Sequence, residues 1–224
     1  MTRLRGQDGM TLPELLIGMF IGVILLLAAF AVLDRAFTAN REAAERSDAS
    51  QRGRLAMESV VRTLRSQVCI GASRASLTAG DANGVTLLVD LSGGNSPPER
   101  RSIVYSSSTR TLDESVYPGA GTFPNYTFPS SPSTARTLLT NAGQAGTTPV
   151  FSYYALDASG GRGANVALPV PLSSTDLGRT ARIAVTFTAR PERATVDTNS
   201  TTLQDDVYVR SADPLNPTGG QSCL

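Results

Sequence analysis

Residues 9–33 read GMTLPELLIGMFIGVILLLAAFAVL, and the reading of this stretch decides the fold. From Leu15 to Leu33 there are 19 consecutive residues without a charge. As a helix rising about 1.5 Å per residue, that run covers roughly 28 Å, close to the hydrocarbon thickness of a bilayer. A helix apolar on every side is foreign to the surface of a soluble domain. In front of it stands a short polar segment, MTRLRGQDG, with Arg3, Arg5 and Asp8. Three readings compete for this start. It is an uncleaved single-pass anchor, a secretory signal cut near Ala29-Phe30-Ala31, or a leader processed at the Gly9–Met10 junction. The apolar run is longer than the usual signal-peptide core, and Glu14 sits at its very edge, which weighs against the second.

Composition removes most enzyme classes. The 224 residues contain no His and no Lys, and all 20 basic residues are Arg. Without His the usual acid–base group at neutral pH and the commonest metal ligand are missing. Without Lys there is no phosphate-loop lysine and no Schiff base. The formal charge of +1 argues against a phosphate-neutralising surface and so against direct nucleic-acid binding. No catalytic residue, metal set or cofactor site is assigned. Gly160-Gly161-Arg162-Gly163 matches no nucleotide-loop spacing and reads as a turn. Asp81-Ala82-Asn83-Gly84 lacks the ligand spacing of a calcium loop and also reads as a turn. Asp205-Asp206 offers two carboxylates to a calcium site but carries no calcium signature of its own.

Gly9 followed by MTLPELLIGM resembles the type III signal of type IV pilins and pseudopilins. The resemblance implies cleavage between Gly9 and Met10 by a prepilin peptidase and N-methylation of Met10. It implies that Glu14, the fifth mature residue, pairs with the N-terminal ammonium of a neighbouring subunit. A carboxylate at the edge of the hydrocarbon region wants such a partner, although a Glu in the first turn also suits the helix dipole. Pro13 fits a first turn because its missing N–H has no intrahelical acceptor. Looser similarity to PilW-like minor prepilins extends over QRGRLAMESVVRTLRSQVC (residues 51–69), the FSYYALD segment, LGRTARIAVTFTARP and TTLQDDVYVRS.

Past Leu33 the helix pattern changes character. Residues 38–54 lack a large apolar side chain, which makes this part solvated or packed on other subunits, and Gly53 marks a place to bend. Glu42/Arg46, Asp48/Arg52 and Glu58/Arg62 stand four apart, the spacing that supports an exposed helix. Met57, Val61, Leu64 and Val68 then fall on one face, a stripe that docks the last turns onto a core.

From Cys69 onward short β-type runs alternate with Gly, Ser, Thr and Pro. Strands are expected near residues 85–90, 101–106, 111–116, 150–156, 182–189 and 206–211, with a hairpin at Ser106–Arg110. Ile183, Val185 and Phe187 share a face. Residues 92–100 and 117–149 read as long loops, the second either a partner surface or an insertion. The expected organisation is a leader over 1–9, a long helix over 10–68 and a β domain over 69–224. The fold class is α+β, a long N-terminal helix packed on a mainly antiparallel sheet. Cys69 and Cys223 are the two cysteines, and export of the domain makes a disulfide between them the natural reading.

The expected function is that of a minor type IV pilin, a structural and non-enzymatic subunit. Its expected partners are prepilin peptidase, other pilin subunits, the inner-membrane assembly machinery and, before assembly, lipid. Arg3 and Arg5 place the leader on the cytoplasmic side. A pseudopilin of a type II secretion system and a membrane-anchored β binding module that forms no filament are the alternatives. Loss of Arg3, Arg5 and Asp8 with the leader takes the formal charge from +1 to zero.

Overall fold

The computed structural model describes residues 11–70, 75–91, 96–157, 163, 166–192 and 200–213. One 54-residue helix, α1 (Leu12–Arg65), opens the chain. It is followed by β1 (Leu77–Gly80), β2 (Gly84–Val89), β3 (Glu99–Ser106), β4 (Thr111–Pro118), β5 (Ala120–Thr122), β6 (Asn125–Thr127), β7 (Thr134–Thr140) and β8 (Ala142–Gly143). Then come β9 (Phe151–Ala155), β10 (Val166–Ala167), the short α2 (Ser174–Arg179), β11 (Thr180–Ala189) and β12 (Thr201–Tyr208). This is the expected α+β architecture, a long N-terminal helix and a C-terminal antiparallel sheet domain.

The chain divides into two compact units, Met1–Ala44 and Glu45–Leu224. In the first, the described residues are all helical beyond Thr11, and every side chain is exposed. By length and composition the helix suffices to cross a membrane.

The second unit holds the core. One sheet has the order β1-β2-β3-β4-β7; in the other, β10-β9-β11-β12 are paired and β8 also pairs with β11. All ladders are antiparallel. From α1, Ala56, Met57, Val60, Val61 and Leu64 share a cluster with Leu87, Ile103 and Leu112 of one sheet and Phe151, Ile183, Val185 and Phe187 of the other. Burying one such side chain contributes about 1.5–3 kcal/mol. Tyr153 ties the sheets together: its buried hydroxyl donates to the Gly84 carbonyl at 2.7 Å. Burial, helped by the Asp81 charge, pushes that phenol well above the ordinary tyrosine range.

Several expectations hold. β3 and β4 form the hairpin around Ser106–Arg110, with Arg110 taking the left-handed conformation (φ 55°) at its end. Ile183, Val185 and Phe187 are wholly buried together. Asp81 makes an Asx turn, its Oδ1 accepting the Asn83 N–H at 2.7 Å.

Others are corrected. The helix ends at Arg65 and does not include Val68, because the chain there joins the sheet: the Val68 N–H donates to the Leu88 carbonyl and the Asp90 N–H to that of Ser66. Residues 38–54 are not solvated throughout, since Ala49 and Gly53 are buried. Gly53 lies inside the unbroken helix at a close approach to the sheet, where a Cβ would lie 2.6 Å from Leu203 Cδ1 and 2.8 Å from Ala189 Cβ. The last strand begins at Thr201, five residues earlier than expected, because its polar TTLQDD portion runs the length of β11 from Ala189 to Ala184 with a ladder on one side. Residues 117–149 are not one loop. They contain the end of β4, the β5–β6 ribbon, β7 and β8, and Leu139 of β7 is buried opposite Leu112.

Candidate functional site

The feature that carries function is α1, and its two ends are built differently. At the start, the Thr11 carbonyl accepts from the N–H groups of Glu14 (3.1 Å) and Leu15 (3.2 Å), and Pro13 brings no N–H to satisfy. The Thr11 hydroxyl donates to Glu14 Oε2 at 3.4 Å. Glu14 is thereby held in the first turn, where the helix dipole favours a carboxylate. Behind it, Leu16, Phe20, Leu27 and Phe30 are among a run of large apolar side chains more than half exposed. Gly18 and Gly22 have no atom within 4 Å of where a Cβ would sit, so close approach by another helix meets no steric bar there.

At the other end, the helix is clamped to the β domain by polar contacts as well as by its apolar stripe. The centre is Glu114 of β4, wholly buried. Arg101 Nη1 donates to its Oε1 at 3.0 Å and Arg136 Nε to its Oε2 at 2.6 Å. Thr63 of α1 donates to the same Oε1 at 3.1 Å, and Arg136 reaches Ser59 of α1 at 3.1 Å. Arg101 is shared with Glu99 at 2.7 Å. Burial alone pushes the Glu114 carboxyl up. The hydrogen bonds and charges of Arg136 and Arg101 outweigh it, and the net position is below the ordinary carboxylate value. A carboxylate held by three donors on two guanidinium groups and a hydroxyl stays ionised and fixed in place. Its chemistry is that of a fastener joining α1, β3, β4 and β7.

A second fastener sits nearer the middle of the helix. Arg52 pairs with Asp48 at 2.9 Å, four residues back, and its Nη1 reaches Thr140 (3.3 Å) and Glu192 (3.4 Å). The expected Glu58/Arg62 pair is present at 3.7 Å and largely exposed, so it adds little.

The positions read from sequence are placed as follows. Gly9, Met10 and Cys223 lie outside the described residues, as do Gly160, Gly161 and Arg162. Glu14 is at the head of α1, and Cys69 follows its end by four residues. Asp206 pairs with Arg182 at 2.9 Å. Among the described residues no group of three or more His, Cys, Asp or Glu is arranged to hold a metal. The Glu114 cluster was not anticipated. The alternation Leu112, Glu114, Val116 puts the Glu on the face of the Leu, but the arginines that meet it there come from neighbouring strands.

A family model described as the prokaryotic N-terminal methylation motif matches residues 4–30. The chain carries a type IV pilin-like prepilin signal. The matched stretch runs from the charged leader through Thr11 and Glu14 into the exposed apolar part of α1. It supports a type IV pilin- or pseudopilin-like protein, a structural subunit processed by prepilin peptidase and assembled with other pilins. One apolar N-terminal helix is compatible with a membrane-anchored pilin. No curated protein matches the chain.

Proposed function

We propose that this chain is a minor type IV pilin, a subunit that enters or primes a pilus-like filament after prepilin peptidase cuts between Gly9 and Met10 and methylates Met10. The observation that carries the reading is one coincidence of position. The methylation motif over residues 4–30 overlies the head of α1, with Glu14 in the first turn and an uncharged, exposed run from Leu15 to Leu33 behind it. In lipid that run is solvated as a single span. In a filament the same side chains pack on those of neighbours, and Glu14 receives the methylated ammonium of an adjacent subunit. Before assembly the precursor sits in the cytoplasmic membrane with its leader inside and its β domain outside. Within the exported domain, a Cys69–Cys223 disulfide ties the C-terminus to the base of the helix. Closing so long a loop is worth about 5 kcal/mol in the chain-entropy picture.

Mass spectrometry of the N-terminal peptide from native membranes tests the reading. N-methyl-Met10 is the expected result. An intact Met1, or a start near Val32, leaves an anchored or secreted β domain and refutes the filament role.

A further inference from the structure

Where α1 ends, a groove of about 450 Å3 is lined by Glu58, Val61, Arg62, Arg65 and Ser66 of the helix side and by Arg210 just past β12. Arg62 and Arg65 belong to the last helical turn, where a cation suits the dipole and needs no further explanation. Arg210 does. It comes from a different element, with 144 residues of chain between it and Arg65, and brings a third guanidinium to the same groove. Arg65 and Arg210 have no carboxylate partner among the described residues, and Arg62 has only the 3.7 Å contact to Glu58 at the groove's edge. Three cations against one carboxylate, gathered over the apolar floor of Val61, call for an anionic occupant with an apolar part.

We infer that this groove binds an acidic peptide segment of a partner protein, its carboxylates on Arg65 and Arg210 and an apolar side chain on Val61. Arginine's planar fork suits a carboxylate in two-point contact. The volume exceeds that of a simple inorganic ion and fits two or three residues. Glu58 repels any anion alike but accepts a peptide N–H, a donor that a phosphate lacks, and a chain with formal charge near zero has no long-range field to draw in nucleic acid. The inference stands on the groove and is independent of the filament reading.

The test is calorimetric titration of the full chain in detergent micelles with an acetylated Glu-Leu-Glu peptide and its Gln-Leu-Gln counterpart. Arg65→Gln and Arg210→Gln are both exposed changes outside the core and leave folding intact. Binding of the acidic peptide alone is expected, weakened about tenfold by each substitution, the loss of one charge-assisted contact. Inorganic phosphate or duplex DNA that displaces the peptide completely at equal concentration overturns the proposal in favour of a simple anion or a nucleic acid. Absence of binding overturns it as well, including the case in which the chain's own residues fill the groove. Affinity unchanged in both variants does the same.

Discussion

Replacing Gly53 by Ala sets two physical effects against each other with opposite signs. In an exposed helix interior the change stabilises by about 1 kcal/mol, through lower backbone entropy in the unfolded chain. At this position the new methyl meets Leu203 Cδ1 at 2.6 Å and Ala189 Cβ at 2.8 Å. The leucine tip can rotate away. The alanine carbon is fixed to β11, whose neighbours β9, β12 and β8 hold it in place. The helix must therefore lift from the sheet by several tenths of an ångström over Ala49–Ala56, and such overpacking costs about 1–3 kcal/mol. The upper part of that range applies because two contacts, one of them immovable, are affected at once. The net expectation is a loss of about 1–2 kcal/mol. Urea unfolding of the full chain in micelles, followed by tyrosine fluorescence, measures it. Adding Ala189→Gly removes the fixed clash, so the two changes together should cost less than their sum. A Gly53→Ala protein more stable than wild type would show that propensity rules this position and that the close approach has no energetic weight.

Glu114→Gln should cost about 3 kcal/mol, the low end for breaking a buried pair because Arg136 reaches solvent. The Glu114 carboxyl is held below its unfolded value of about 4.3. Its stabilisation is therefore complete above that pH and is lost as pH falls through the depressed folded value; the Gln variant should show a flatter acid limb in urea midpoints against pH. Tyr153→Phe should cost about 1 kcal/mol, since the Gly84 carbonyl keeps the Asp81 N–H at 2.8 Å. In alkaline difference spectra the Tyr153 phenol should ionise only when the fold opens. Glu14→Ala should leave membrane insertion intact and abolish filament incorporation, as read by fractionating sheared filaments; normal incorporation would refute the pairing role.

What could be read from the sequence follows apolar content. The uncharged run to Leu33, the Met57/Val61/Leu64 stripe and the strands β2, β3, β9 and β11 carry large apolar or β-branched side chains that mark them in the sequence. β7 is less plainly marked: TARTLLT is exposed at its first four positions, because an edge strand needs an inward face only where Leu139 meets the core. Small residues mislead in the same way. Ala49 and Gly53 lack the bulk that marks a core position, yet the absence of bulk is what lets helix and sheet approach. The prepilin signal was legible because its chemistry is local. The Glu114 fastener was not, since a lone acid in a strand is ordinarily solvated, and only the register of β4 between β3 and β7 brings Arg101 and Arg136 to it.

The β5–β6 ribbon is a two-stranded sheet whose ladder joins neither larger one. Its own ladder is three residue pairs. Its neighbourhood is pinned by Arg100, which lies over the Tyr117 ring at 4.5 Å, stands 5.7 Å from that of Phe128 and donates to the Pro129 carbonyl at 2.7 Å. Such a ribbon exchanges its amides ahead of the domain as a cooperative unit of its own. Its tip, with Phe123 about two-thirds exposed, can be lengthened or rewritten while both large sheets keep their registers. Variation there alters an exposed face while the ladders of the two large sheets stay as they are, which makes the ribbon a place to insert a label or an epitope.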